Sequence, residues 1–478
     1  MSEGRSASMC RAPSASMYLD QHGDVRACCQ NAGFPLGNVA EASLREIWHG
    51  ERSGRLRAAV AEGDLSLGCD FCRWPDPGEG EGLFARTFDH LREPSVAPVW
   101  PQQLELSLSN ACNLQCVMCN GDWSSSIRTH REGRAPLPVV YDDAFFEELA
   151  LFLPHLEVVK FLGGEPFLGR ESLRVMEMLA ELDTGVAVHV TTNATQWSPR
   201  IERILDRLEV HVAVSLDGMR AETYESIRVG SSFACVVENI DRLLAYSRRR
   251  GTGFSISHCL MTLNWHEFLD FLRFAEERGS EVFINTVTEP HELSLYHLHP
   301  RELVRVVDAF DVQDEAARLD LTGARRRVWT EQRERLRNHL EALTHHRPAE
   351  YVARHRRSLG FDWIAPTENA AAANLWLDEK VARAHGAEIV LGADGVVTSV
   401  RRVGAGTESF VETSLAAVLD QVDVGRMAPP ELLGADGAEE RTRQLPDRDH
   451  LELPVAPLEG RKAWSRFCGR RSETTMVS

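Results

Sequence analysis

The stretch LELSLSNACNLQCVMC, residues 104–119, decides the fold. Its first half alternates apolar and polar residues, as a half-buried strand does. Its second half turns polar and carries three cysteines, Cys112, Cys116 and Cys119, in the spacing C-x3-C-x2-C. A strand that ends in a thiol-rich loop and opens a run of strand–helix alternation predicts a parallel sheet with its chemistry at the C-terminal strand ends.

The alternation continues outward from there. Strands are predicted at 104–109, 158–162, 186–192, 210–216, 254–261 and 282–287. Between them lie helices in DDAFFEELALFL, ESLRVMEMLAEL, PRIERILDRL, FACVVENIDRLLAYSRRR and WHEFLDFLRFAEER, several followed by a C-capping Gly. The expected fold class is α/β, with these units curling into a partial (β/α)6, TIM-like barrel.

Two flanks surround this core. Residues 1–95 hold five cysteines and a linker, RWPDPGEGEG, and residues 296–478 open with long helices. The flanks are related. YLDQHGDVRACC followed by VAEASLREIW resembles VLGADGVVTSVR followed by VETSLAAVL, so that Gly23 matches Gly395 and Cys28 matches Val400. After a one-residue slip, Glu41, Ser43 and Leu44 match Glu412, Ser414 and Leu415. Each copy predicts a strand, a Gly turn, a second strand and a short helix, and the second copy has lost its thiols. The expected division is 1–95, 96–295 and 296–478.

Charge and length bound what such a chain does. At 478 residues it exceeds one ordinary core. The balance of 53 Lys and Arg against 71 Asp and Glu gives a net charge of -18, which repels phosphate backbones and anionic membrane surfaces. No nucleic-acid or membrane partner is expected. No apolar run approaches a membrane span of roughly 20 residues, and MSEGRSASMC lacks a signal-peptide pattern, so a cytoplasmic location is expected. In that reducing compartment the 11 cysteines point to metal ligands or catalytic groups.

A cube of four irons normally takes four thiolates. Three ligands leave one iron with an open position, as a catalytic zinc keeps one for substrate. The C-x3-C-x2-C loop after the first barrel strand resembles the radical S-adenosylmethionine (SAM) enzymes, with residues 102–290 similar to their core domain. The resemblance implies that Cys112, Cys116 and Cys119 hold a catalytic 4Fe-4S cluster whose open iron binds SAM, which is cleaved to a 5'-deoxyadenosyl radical that abstracts hydrogen from a substrate.

Further positions match in order. The second strand ends in Gly163, Gly164, Glu165 and Pro166, the motif that in the family holds the methionine amino group. The third ends in Thr192 and Asn193 and the fourth in Ser215 and Asp217, similar to the family's ribose and methionine contacts. Arg228, in YESIRVG, matches an arginine that pairs with the methionine carboxylate. The alternative for the trio is a structural zinc joining the Cys116/Cys119 couple to Cys69/Cys72, which leaves Cys112 without a role.

Cys10, then twelve residues, Gly23, four residues and Cys28, followed by Cys69-x2-Cys72, resembles the auxiliary SPASM domain in its one-cluster form, twitch. The resemblance implies that Cys10, Cys28, Cys69 and Cys72 hold an auxiliary 4Fe-4S cluster, placed before the barrel instead of after it. Cys29 is adjacent, and the G-x4-C count favours Cys28. A zinc ribbon-like site or buried thiols are the alternatives for this quartet.

His258, Cys259 and Asn285 are candidates for the barrel lumen, Cys235 for the core, and Cys468 for an exposed thiol. The resemblance implies an oxidoreductase or mutase using two clusters and SAM, fed by an electron donor such as flavodoxin or ferredoxin. Its substrate is a peptide, in natural-product modification, or a small molecule. The small-molecule alternatives are a sugar, cyclitol or nucleoside dehydrogenase, an epimerase, or a sulfur-inserting enzyme. A non-catalytic iron–sulfur or zinc scaffold or sensor is the competing class. The net reaction and oligomeric state are not encoded in these motifs.

Overall fold

The computed structural model describes residues 10–69, 72, 86–92, 98–182, 185–344, 387–391 and 397–402. Cys468, the linker RWPDPGEGEG and the helix of the second flank repeat lie outside them.

The described residues form an α/β fold around a nine-stranded sheet. Its strands, in sequence order, are β1 (Ser16–Leu19), β2 (Asp24–Arg26), β3 (Gly37–Asn38), β4 (Gln103–Leu106), β6 (Val158–Phe161), β7 (Ala187–Thr192), β8 (Val210–Ser215), β10 (Phe254–Leu260) and β11 (Glu281–Thr286). The short β5 (Gln115–Cys116) and β9 (Arg228–Val229) pair apart from it, antiparallel. Strands β4, β6, β7, β8, β10 and β11 lie side by side in sequence order, all parallel. All six predicted strands are present, with bounds within three residues of those expected.

The N-terminal flank extends this sheet. β1 pairs in parallel with β4, setting Met17, Tyr18 and Leu19 against Leu104, Glu105 and Leu106, and β2 and β3 continue antiparallel beyond it. Gly23, at φ +84°, makes the turn from β1 to β2. Three helices accompany these strands: α1 (Ala12–Ala15) before β1, and α2 (Leu44–His49) and α3 (Glu51–Ala61) after β3. Leu44–His49 begins in a reciprocal cap, with Glu46 N–H donating to Ser43 Oγ and Ser43 N–H to Glu46 Oε2.

Register explains the core. One face of the sheet carries the row Met17, Leu104, Val159, Val188 and Val210 and the row Leu19, Leu106, Phe161, Val190 and Val212. All are buried under helices α4 (Asp143–Phe152), α5 (Arg170–Leu182), α6 (Pro199–Arg207) and α8 (Phe233–Arg250), with α7 (Ala221–Ile227) between the last two. Each such side chain contributes roughly 1.5–3 kcal/mol by leaving water. The opposite face carries Tyr18, Glu105, Lys160, His189 and His211 in one row, because side chains alternate along a strand.

Helix α9 (Phe268–Arg278) packs on β11 and, through Phe268 and Phe271 against His258, on β10, and α10 (Pro300–Asp320) and α11 (Gly323–Thr344) follow as an antiparallel pair. Phe310 and Trp329 stack at 4.8 Å between them. Strands β12 (Ala387–Leu391) and β13 (Val397–Arg402) form a separate antiparallel hairpin. Among the described residues no helix is long and apolar enough to cross a membrane.

Candidate active site

The cysteine trio sits just past the C-terminal end of β4 on a loop fastened at many points. Ser125 Oγ accepts from the Cys112 N–H at 3.2 Å and donates to the Cys112 carbonyl at 3.2 Å. Ser124 Oγ donates to the Leu114 carbonyl at 2.6 Å. The β5–β9 pairing sets Cys116 directly opposite Arg228. Arg131, at the end of a π-helical turn over Ile127–Arg131, donates to the carbonyls of Cys116 and Cys119. A loop whose backbone is bound this fully holds its three thiols in place without a ligand.

The motif after β6 grips the same loop. Gly163 adopts φ +86°, a region open to glycine at little cost. The Gly164 and Glu165 N–H groups then donate to the carbonyls of Ser109 and Ala111, at 3.2 and 2.7 Å. A Cβ on Gly164 would stand 2.4 Å from the Ala111 carbonyl oxygen, so only glycine allows this approach. Pro166 is buried. Glu165 is 2% exposed: its Oε1 accepts from Thr192 Oγ1 at 2.7 Å and Phe167 N at 3.0 Å, and its Oε2 accepts from Asn193 N at 2.7 Å. Burial pushes the Glu165 carboxyl upward, against the pull of these donors.

Asn193 connects the third strand to the trio. Its Nδ2 stands 3.9 Å from Cys112 Sγ and 3.3 Å from Asn113 Oδ1, and Thr195 closes the group through Oγ1 bonds to Asn113 and Asn193. The GGEP, TTN and cysteine segments therefore meet as one connected polar cluster.

The fourth strand contributes differently. Ser215 is half-buried at the end of β8, in register with Ser257. Asp217 is fully buried: Oδ2 accepts from Arg228 Nε at 2.7 Å and Oδ1 from Cys259 N at 2.7 Å. Expected as a ligand contact, it is turned inward to hold Arg228, whose Nη1 reaches 3.9 Å from Cys116 Sγ. Burial pulls the Arg228 guanidinium down, and Asp217 and Cys116 more than offset it, so the group stays firmly charged.

Of the lumen candidates, Cys259 and Asn285 share a face: they are in register across β10 and β11, and the Cys259 thiol lies among Asp217, Arg228 and Cys116. His258 does not join them. Alternation points it to the opposite face, where its ring stacks on Phe271 at 4.3 Å and Nδ1 meets the Leu216 carbonyl at 2.7 Å. Cys235, expected in the core, is half-buried on α8, next to the buried Val236 that takes the inward position.

A second thiol group lies in the N-terminal flank. Cys10, Cys28, Cys69 and Cys72 line one cavity together with Ala12 and Asn31. Cys29 is not among its walls: its surroundings are Glu105, Lys160 and Arg26. Asn31 Nδ2 donates to Cys69 Sγ at 3.2 Å and to the Leu67 carbonyl at 2.9 Å. Burial raises the thiols in both groups, Cys10 and Cys112 to about 12 and Cys119 to about 11.

Among the described residues no three His, Cys, Asp or Glu side chains are placed so as to hold a single metal ion. All-thiol sets with amide or guanidinium donors on their sulfurs suit iron–sulfur clusters, and the residues present fit that group. Asn113, Thr195, Arg131 and Asn31 escaped sequence reasoning. The first two lie inside or beside motifs and were legible as polar neighbours, whereas Arg131 and Asn31 carry no spacing signal.

Comparison with known proteins agrees. Residues 106–275 match the radical SAM superfamily, and residues 10–73 match an iron–sulfur cluster-binding domain, SPASM. A GTP 3',8-cyclase from Listeria monocytogenes is 25% identical over 202 residues, 42% of this chain and 54% of that protein. An AdoMet-dependent heme synthase from Methanosarcina barkeri is 26% identical over 187 residues, 38% of this chain and 49% of the other. The chain spans about half the length of the curated relatives it matches. Among solved structures, anSMEcpe with bound AdoMet has a TM-score of 0.34 at 18% identity, covering 45% of this chain and 58% of that one. Streptococcus suis SuiB bound to the precursor peptide SuiA has a TM-score of 0.33 at 15% identity, covering 58% and 63%. With its three-cysteine loop closing the first core strand and its cluster-binding domain placed ahead of it, the chain belongs to the radical SAM superfamily, in the form that carries a SPASM-type domain.

Proposed function

We propose that this chain is a radical SAM oxidoreductase or mutase with two 4Fe-4S clusters, the trio Cys112, Cys116 and Cys119 holding the one that binds SAM and the quartet Cys10, Cys28, Cys69 and Cys72 an auxiliary one. The observation that carries this reading is the fastened three-thiol loop, bonded to both the GGEP and TTN segments. When bound, the first cluster supplies the electron that splits the SAM sulfonium, and hydrogen abstraction from substrate follows. Gly163, Gly164, Glu165 and Pro166 shape the wall for the methionine end, with Thr192 and Asn193 fixing Glu165. Ser215 offers a hydroxyl at the end of β8. Asp217 holds Arg228 at the trio.

The six parallel strands in sequence order support a partial barrel spanning 96–295. The β12–β13 hairpin supports a degenerate copy of the N-terminal twitch-like domain within 296–478. The auxiliary cluster, closed by four thiolates, has no position for substrate and serves electron transfer, with flavodoxin or ferredoxin as external donor. We propose a peptide substrate, as in SPASM-domain natural-product enzymes. The names of the cyclase and heme synthase relatives favour the second reading, a small-molecule substrate such as a nucleoside, over the same radical-generating core.

Anaerobic reconstitution should give about eight irons per chain, four per cluster. With dithionite and SAM the protein should release 5'-deoxyadenosine. Replacing Cys112, Cys116 or Cys119 by Ala should abolish that product, and Cys69→Ala should halve the iron. A protein that binds only zinc, or yields no 5'-deoxyadenosine with its clusters loaded, is the non-catalytic scaffold or sensor.

A further inference from the structure

We propose that Arg228 sets the reduction potential of the trio's cluster from Cys116, and that Asp217 tempers it. This rests on the reading of the trio as cluster ligands. Arg228 is matched to a SAM-carboxylate contact, and its side chain also has two partners within the protein. The guanidinium is buried, fixed through Nε to Asp217 at 2.7 Å, and aimed through Nη1 at Cys116 Sγ, 3.9 Å away. The aim is built into the backbone, because Cys116 and Arg228 face each other across the β5–β9 pair. Asp217 is held in turn by the Cys259 N–H, and Asn264 Nδ2 donates to the Asp217 carbonyl at 2.9 Å. Among the described residues the trio's sulfurs thus meet one charged donor, Arg228, on Cys116, and one neutral donor, Asn193, on Cys112.

Reduction adds one negative charge to the cluster and its thiolates. A fixed cation beside one sulfur stabilises the reduced form and raises the potential, and hydrogen bonds to ligand sulfurs act in the same direction. The Asp217 carboxylate, bonded to the guanidinium through Nε, offsets part of its charge. Removing the cation and removing its counter-charge must therefore shift the potential in opposite directions.

The test is a redox titration of the reconstituted full-length protein without SAM, following the electron paramagnetic resonance signal that changes when SAM is added. A charge-assisted hydrogen bond of about 1.5 kcal/mol corresponds to roughly tenfold in the reduction equilibrium, or about 59 mV for one electron. Arg228→Gln should move the midpoint negative by about that much, Arg228→Lys should keep most of the wild-type value, and Asp217→Asn should move it positive. Asn193→Ala should shift it less than Arg228→Gln. Unchanged midpoints with only weakened SAM binding would make Arg228 a carboxylate contact and overturn the proposal. Shifts of the same sign in Arg228→Gln and Asp217→Asn would do so too, since general loosening of the loop has no reason to change sign. A wild-type protein without a SAM-sensitive signal would instead sink the cluster assignment itself.

Discussion

Replacing Gly164 by Ala tests whether the motif after β6 and the cysteine loop are one mechanical unit. The added Cβ would lie 2.4 Å from the Ala111 carbonyl oxygen, 2.7 Å from the Asn110 carbonyl carbon and 2.8 Å from the Ala111 carbonyl carbon. All three atoms are backbone, so no rotamer change relieves the contact. Ordinary contact distances near 3.5 Å require the Asn110–Ala111 segment to retreat by roughly 1 Å. That segment leads directly into Cys112 and accepts the Gly164-side bond from Glu165 N–H. Overpacking of this kind costs about 1–3 kcal/mol, and each kcal/mol lowers Tm by about 2–4 °C in a unit of this size. The expected outcome is a lower Tm in the apo protein together with loss of the SAM-sensitive cluster signal, while iron held by the Cys10, Cys28, Cys69 and Cys72 group persists. The assays are thermal unfolding by circular dichroism, iron counting and electron paramagnetic resonance after reconstitution. A Gly164→Ala protein with wild-type Tm and an intact signal would refute the coupling. Gly163→Ala should also destabilise, by about 1–2 kcal/mol, but through its left-handed backbone.

Three further outcomes follow from the geometry. Cys28→Ala should lower the iron content of the reconstituted protein to that of one cluster, and Cys29→Ala should leave it unchanged, because only Cys28 lines the cavity with Cys10, Cys69 and Cys72. Glu165→Gln replaces one of two accepting oxygens by an NH2 group that cannot accept, leaving at least one of three protein donors unpaired, and should cost about 1–3 kcal/mol in chemical denaturation and weaken SAM binding measured by calorimetry. Glu276→Gln should cost about 1 kcal/mol at neutral pH, since Arg325 and Thr322 hold its carboxyl down at about 2 from an ordinary 4.5. A depressed carboxyl stabilises the fold above its unfolded value, so the gap between wild type and variant should close as pH falls from 4.5 toward 2 in urea titrations.

Much of the fold was legible because its signals are local. Alternation in VAVHVTT and VHVAVSL marks strands, and the periodicity of PRIERILDRL behind Ser198 marks a helix with its cap. Neighbour relations were less legible. Nothing in SMYL says that it pairs with QLEL, 87 residues on, since strand periodicity states which face is buried and leaves the partner open. The same limit applied to His258 and Cys259. Adjacent strand residues must face opposite ways, but Phe271 on a later helix shows which of them lies on the helix-covered face. Asp217 shows another limit: a carboxylate in a turn reads as a contact for ligand, and only the fold shows that it also holds Arg228.

The thiol spacings and the glycines beside Glu165 were fixed by covalent order, because short-range geometry depends on a few dihedral angles and is the same wherever the segment sits. Which sulfur receives a cation, which of two neighbouring cysteines enters the cavity, and how the N-terminal strands join the core sheet were decided only on folding. Those relations depend on distances between segments far apart in the chain, and such distances exist only once packing has selected one arrangement among many compatible with the same local pattern.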